Sequence, residues 1–170
     1  MNIDNHIIFN VISIFILRNI NFISISYKDW FYILLGSLLT CMLPDIDHPC
    51  SFIGRRFRII SKFIYNIFGH RKITHSLLMI LIINFIFKKL ILNLNLIPYY
   101  IYHGMVIGYI NHIIADMFTV SGVPLLWPIN IKFKIPLLYK IFYKFNIIII
   151  YILILLILII KFIFLRKNYN

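Results

Sequence analysis

Glutamate and glutamine are absent from this 170-residue chain, and all five of its acidic residues are Asp. With so few acids, the position of each one is informative. Cysteine is nearly as scarce: Cys41 and Cys50 form no framework of spacings, which excludes a disulfide scaffold and leaves the thiols reduced. The opening "MNIDNH" has an Asp and neither Lys nor Arg, so it does not read as a secretory signal. No internal repeat is present. No polar stretch is long enough to form a separate soluble domain, and this excludes a nucleic-acid face despite the net charge of +12. Apolar residues are abundant. They make up 62% of the chain, and mean hydropathy is +0.93. Roughly half apolar is usual for a soluble domain, so the composition argues for a bilayer as solvent. Ile, Phe, Tyr, Lys and Asn dominate, a bias that raises hydropathy everywhere, so segments are best read by length and by gaps in charge.

Five apolar segments emerge: Ile7–Ile25, interrupted by Arg18; Asp29–Leu43; Ile73–Leu96; Pro98–Met117; and Ile147–Leu165. A span needs about 20 residues, so the second segment is short and the fifth is the cleanest. Between them, "GRRFRIISKFIYNIFGHRK" (54–72) alternates basic and apolar residues at helical spacing, as an interfacial helix does. The stretch 121–140, with Pro124, Pro128, Pro136 and Trp127, reads as a loop or interfacial segment. The expected fold is therefore all-α: a multipass helical membrane protein of about four to five apolar helices plus a basic interfacial helix. A single domain is expected, with a metal-site membrane portion over 1–146 and a final transmembrane helix at 147–165. Basic residues concentrate in the 54–72 and 118–146 connectors. The positive-inside rule then puts both connectors and the N-terminus on the cytoplasmic side. Arg166 and Lys167 run against that orientation.

On this topology the unusual residues converge. His6 precedes the first segment, Asp45, Asp47 and His48 follow the second, His70 and His75 bracket the start of the third, and His112 and Asp116 end the fourth. An up-and-down order brings all four groups to one membrane face. His112 and Asp116, spaced i,i+4, project from one side of a helix. Thr74 is placed to cap the third helix. Imidazole with carboxylate suits zinc, manganese or iron better than calcium or magnesium. His6, Asp45, Asp47, His70, His75, His112 and Asp116 exceed the four ligands of a structural zinc site, which points to two ions. Asp47 or Asp116 is the candidate general base. His48 fits equally a ligand, a donor that orients a ligand, or a turn residue. His103 reads as structural. Arg55, Arg56 and Arg58 suit lipid headgroups or, alternatively, a substrate phosphate.

These strings resemble a known family. "NHIIFN", "LLTCMLPDIDHPCSFIGRRFRIISK", "FGHRKITHSLL" and "GMVIGYINHIIADMFTVSGVPLLWP" are similar to the YdjM-type bacterial inner-membrane proteins, described as membrane-bound metal-dependent hydrolases. The likeness covers about residues 5–128 and falls on His6, Asp45, Asp47, His48, His70, Thr74, His75, His112 and Asp116. It implies a bacterial inner-membrane location and a hydrolase with a divalent metal. The geometry of a site in the interface favours an amphiphilic substrate, such as a phospholipid or isoprenoid phosphate. A metal or ion carrier and a non-catalytic membrane scaffold are the rival readings.

Overall fold

The computed structural model describes residues 3–19, 25–94 and 98–135. The expected fifth helix at 147–165, and the boundary at 146, lie outside them. Six α-helices occur among the described residues: α1 (Ile3–Asn19), α2 (Tyr27–Thr40), α3 (Phe52–Arg56), α4 (Arg58–Phe68), α5 (Leu77–Leu94) and α6 (Tyr99–Met117). Two 3-10 turns, Leu43–Asp47 and Ile73–His75, precede α3 and α5. No strand is present among these residues; the one β-feature is an isolated antiparallel bridge between Val123 and Phe133.

Helix α6 is the central element, packing against α1, α2 and α5. Its contact with α2 is close because small residues line both sides. A Cβ at Gly36 would collide with the Ile101 carbonyl, one at Gly104 with that of Ile33, and one at Gly108 with that of Ser37. Thr40 Oγ1 donates across this contact to the Met105 carbonyl at 2.6 Å. Small residues that let backbones approach, supplemented by interhelical hydrogen bonds, are the usual means of helix association in lipid. Helix α1 is fixed by buried amides. Asn10 Nδ2 donates to Ser37 Oγ on α2 at 2.9 Å, and Asn111 Nδ2 on α6 donates to Asn10 Oδ1 at 2.9 Å. His6, Asn10 and Ile14, four residues apart in turn, form the buried stripe of α1.

The outside of the bundle is apolar. Val11, Ile16, Phe31, Leu35, Leu39, Leu81 and Phe85 are among its exposed side chains. One helical stretch among the described residues, Tyr27–Asp47, is long and apolar enough to cross a membrane, with 21 residues and a mean hydropathy of 1.2 over an 18-residue window. The second segment thus gains length from the 3-10 turn that continues α2. The basic connector differs from expectation by being two helices, broken at Phe57. Helical spacing gives α4 three sides: buried Ser61 with half-buried Ile64 and Phe68 toward the protein, exposed Ile59, Phe63 and Ile67 on the second, and Arg58, Lys62 and Asn66 on the third. The expected cap of α5 is also corrected. Ser76, not Thr74, has the extended backbone of a cap, and its Oγ accepts from Met79 N at 3.2 Å.

Candidate metal centre

The alternating direction of α1, α2, α5 and α6 gathers polar side chains at one end of the bundle. His6 comes from the first turns of α1, Asp45 and Asp47 from the 3-10 turn after α2, His75 from the turn before α5, and His112 and Asp116 from the end of α6. One ligand atom each from Asp45, His75, His112 and Asp116 lies within 4.8 Å of all the others. His75 Nε2 is 3.2 Å from Asp116 Oδ2 and 4.0 Å from Asp45 Oδ1. His112 Nε2 is 3.5 Å from Asp45 Oδ1 and 3.7 Å from Asp116 Oδ2. A tetrahedral shell with ligands at about 2.0–2.1 Å separates its ligand atoms by about 3.3 Å. The four groups therefore stand at nearly the spacing such an ion requires.

The imidazoles are held with their Nε2 lone pairs inward. His112 Nδ1–H donates to the Cys41 carbonyl at 2.6 Å, so in neutral His112 the bare nitrogen is Nε2. Thr74 Oγ1 donates to Asp47 Oδ2 at 2.5 Å, which leaves its oxygen to accept from His75 Nδ1–H at 2.9 Å. The Thr74 carbonyl in turn accepts from Tyr109 OH at 2.5 Å. His75 Nε2 and His112 Nε2 are buried and have no hydrogen-bond partner. Buried nitrogens in this state are costly, and a cation at the common centre would satisfy both. The residues present fit a divalent metal ion. His75, in the turn ahead of α5, gives the same reading. Burial opposes its charged form, but the Asp116 and Asp47 carboxylates outweigh burial and push its pKa up to about 9. A proton there takes the place of the cation that the carboxylates call for.

The other expected residues take distinct places. His6 is buried and stacks on His112 with ring centroids 4.0 Å apart; its Nε2 is 3.6 Å from Asp116 Oδ1, and neither ring nitrogen has a hydrogen-bond partner. Asp45, Asp47 and His70 make a second group within 4.8 Å, sharing Asp45 with the first. Two of its members, Asp47 and His70, are already hydrogen-bonded to each other. Asp47 contacts His70 Nδ1 at 2.8 Å and accepts from the Arg71 backbone N–H at 2.8 Å and from Thr74. His48 packs its ring against His70 at 4.6 Å and lines a cavity of about 370 Å³ over the centre, together with His6, Asp45, Arg55, His70, Arg71 and His112. Arg55 is in that wall and Arg56 is not. His103, at the far end of α6, packs among Tyr99, Tyr100 and Tyr102.

Sequence reasoning missed Arg71. In the sequence it reads only as one of the positive flanking charges of the 54–72 connector, yet its guanidinium donates to Asp116 Oδ1 at 2.8 Å and also reaches Thr119 and Ser121. Its backbone has a φ of 55°, sparsely populated for a side-chain-bearing residue, and is held there by Asp47. Its place directly after His70 in "GHRK" was the available signal.

An all-helical bundle with an apolar exterior and a His/Asp centre able to hold a metal ion is the class this architecture defines. Comparison with known proteins supplies the family. The family described as "YdjM inner membrane protein" matches residues 1–168. The chain is 42% identical to "Inner membrane protein YdjM" of Escherichia coli (strain K12) over 139 residues, covering 81% of this chain and 71% of that protein. The Shigella flexneri protein of the same name matches to the same extent, 42% over 139 residues. "Uncharacterized protein YvsG" of Bacillus subtilis (strain 168) is 44% identical over 99 residues, or 58% of this chain and 59% of that protein. No solved structure matches. The chain belongs to the YdjM inner membrane protein family, as the resemblance of its motifs implied, and is a bilayer-associated protein of the bacterial inner membrane.

Proposed function

We propose that this protein is a membrane-bound metal-dependent hydrolase acting on a phosphoester of an amphiphilic substrate, such as a phospholipid or an isoprenoid phosphate. One observation carries the reading: two imidazole Nε2 atoms without hydrogen-bond partners and two carboxylates surround one buried point, beneath a cavity edged by Arg55 and Arg71. Asp45, His75, His112 and Asp116 would hold the ion, with His6 stacked behind His112 as a further donor. Zinc suits a set of two imidazoles and two carboxylates; manganese or iron would be the substitutes. A second ion would be held by Asp47 and His70 in place of the hydrogen bond between them. When bound, the metal lowers the pKa of a water toward neutrality and polarises a phosphoryl oxygen.

The remaining work falls to the chain itself. Of the two expected bases, Asp47 is enclosed by its donors and orients His70 and Thr74. Asp116 holds Arg71 against the centre. Asp45 is the carboxylate open to the cavity, its side chain 24% exposed, and offers an acceptor for the proton of an attacking water. Arg55 and Arg71 would bind and orient the phosphoryl group. His48 would position His70.

We read the chain as multipass, with residues 1–146 carrying the centre and 147–165 a last span of the same domain. Helices α1, α5 and α6 have 17, 18 and 19 residues, about 25–29 Å at 1.5 Å per residue, close to the hydrocarbon thickness of about 30 Å. The centre lies at helix ends, which suits an interfacial enzyme facing the cytoplasm. A carrier holds its ligands near the midplane. Incubating detergent-purified protein with p-nitrophenyl phosphoesters and phospholipids tests the proposal. Metal-dependent product release that is lost on chelation and in Asp45→Ala is expected. Release indifferent to chelator, or none with any phosphoester, would refute it.

A further inference from the structure

The segment carrying His70 and Arg71 has two sides. One side lines the cavity over the metal centre. The other lines a second cavity of about 420 Å³, whose wall also includes Lys72, Ser121, Asn130 and Lys132. No carboxylate is among its lining residues. The charges can be counted. Arg71 is balanced by Asp116 at 2.8 Å. Lys72 and Lys132 are exposed and have no ion pair among the described residues, which leaves two positive charges facing one cleft. Arg71 Nε is buried without a hydrogen-bond partner. The Ser121 hydroxyl and Asn130 amide add neutral donors. The group that matches this wall is a compact dianion with several acceptor oxygens, and a phosphoryl group, at about −1.5 to −2 charge near neutrality, is such a group. A monocarboxylate would leave one ammonium unbalanced.

We propose that this second cavity is a phosphoryl subsite. It takes a second anionic group of a substrate phosphorylated at two separate positions, whose first phosphoryl group occupies the metal-side cavity, His70 and Arg71 lying between the two. The substrate half of this statement rests on the hydrolase reading; the binding half does not. The subsite was not legible in the sequence, because Lys72 and Lys132 are 60 positions apart and both fit the pattern of flanking charges.

The test is calorimetric titration of inorganic pyrophosphate into full-length, detergent-purified protein stripped of metal by chelator. Saturable binding is expected, weakened at least about tenfold in the double variant Lys72→Ala/Lys132→Ala, as loss of charge-assisted contacts requires. Both side chains are exposed, so the fold tolerates their removal. The control Arg58→Ala/Lys62→Ala removes equal charge from α4 and should bind as wild type. Absence of saturable binding, undiminished binding in the first variant, or equal weakening in the control would overturn the subsite. Nanodiscs containing phosphatidate form a second arm. Their competition with pyrophosphate would identify the phosphoryl group as lipid-borne, and lack of competition as that of a soluble ligand; either supports the subsite. Intact pyrophosphate binding in a protein that hydrolyses no phosphoester would overturn the hydrolase reading and leave the subsite standing.

Discussion

Replacing Thr74 by Val probes the centre without touching any proposed ligand. Val keeps the shape of Thr at a site 1% exposed, so no water replaces the lost hydroxyl. That hydroxyl bonds Asp47 Oδ2 at 2.5 Å and faces His75 Nδ1 at 2.9 Å. Its removal leaves His75 free to turn and its Nδ1–H without this acceptor. Asp47 keeps two partners, His70 Nδ1 and the Arg71 amide, so the fold survives. A hydrogen bond to a charged group contributes about 1.5–3 kcal/mol, and loss of an outer-shell partner typically lowers metal affinity about 10–100-fold. Thr74→Val should accordingly weaken zinc binding about 10–100-fold, or about 1.4–2.7 kcal/mol, with unchanged stoichiometry. Thr74→Ser restores the hydroxyl and should bind within about threefold of wild type by the same reasoning. The assay is competition with a chromophoric chelator in detergent at fixed pH. Zinc affinity in Thr74→Val within twofold of wild type, or an equal loss in Thr74→Ser, would refute the proposed role of Thr74 in orienting His75.

Three further outcomes are expected. Gly108→Leu forces a side chain against the Ser37 carbonyl and Thr40; overpacking of this kind costs about 1–3 kcal/mol or more, and a thermal melt in detergent should show a clear fall, whereas an unchanged midpoint would contradict the close α2–α6 contact. The raised pKa of His75, about 9 against an ordinary 6.5, stabilises the metal-free fold fully below 6.5 and ceases to do so as pH rises through 9. The metal-free protein should therefore melt at lower temperature across that window while zinc affinity climbs, since the ion displaces the proton; calorimetry in buffers of different ionisation enthalpy should register proton release at neutral pH, and none would count against His75 as a ligand. On α4, a nitroxide at Ile59 should be quenched by oxygen dissolved in lipid and one at Lys62 by an aqueous nickel chelate; the reverse pattern would remove α4 from the interface.

Much of the centre could be read from the sequence because its pairs are local. Asp45 and Asp47 share one turn, His112 and Asp116 one helix face, and the reversal of successive helices brings these pairs together. What depended on tertiary packing could not be read. For His6 the topology and the family resemblance gave the place beside the centre, but not the Asn10–Asn111 bond that seats α1 against α6 or the stacking on His112. Thr74 and Ser76 both have the chemistry of a cap, and "ITHS" does not reveal which one Asp47 claims. Arg71 resembles every other basic flank until its guanidinium is seen against Asp116. Among the described residues α1, α2, α5 and α6 follow the first four hydrophobic runs, but 3-10 turns after α2 and before α5 carry no periodicity of their own. These turns hold Asp45, Asp47, Thr74 and His75.

The most direct test of the account is the metal-to-protein ratio of detergent-purified protein, measured by elemental analysis for wild type, Asp45→Ala and His112→Ala side by side. Wild type should retain about one or two divalent ions per chain, and each variant, eluting as a single species, should lose them. Equal metal content in all three, or none in wild type supplied with zinc, would contradict the metal centre and the hydrolase proposal built on it.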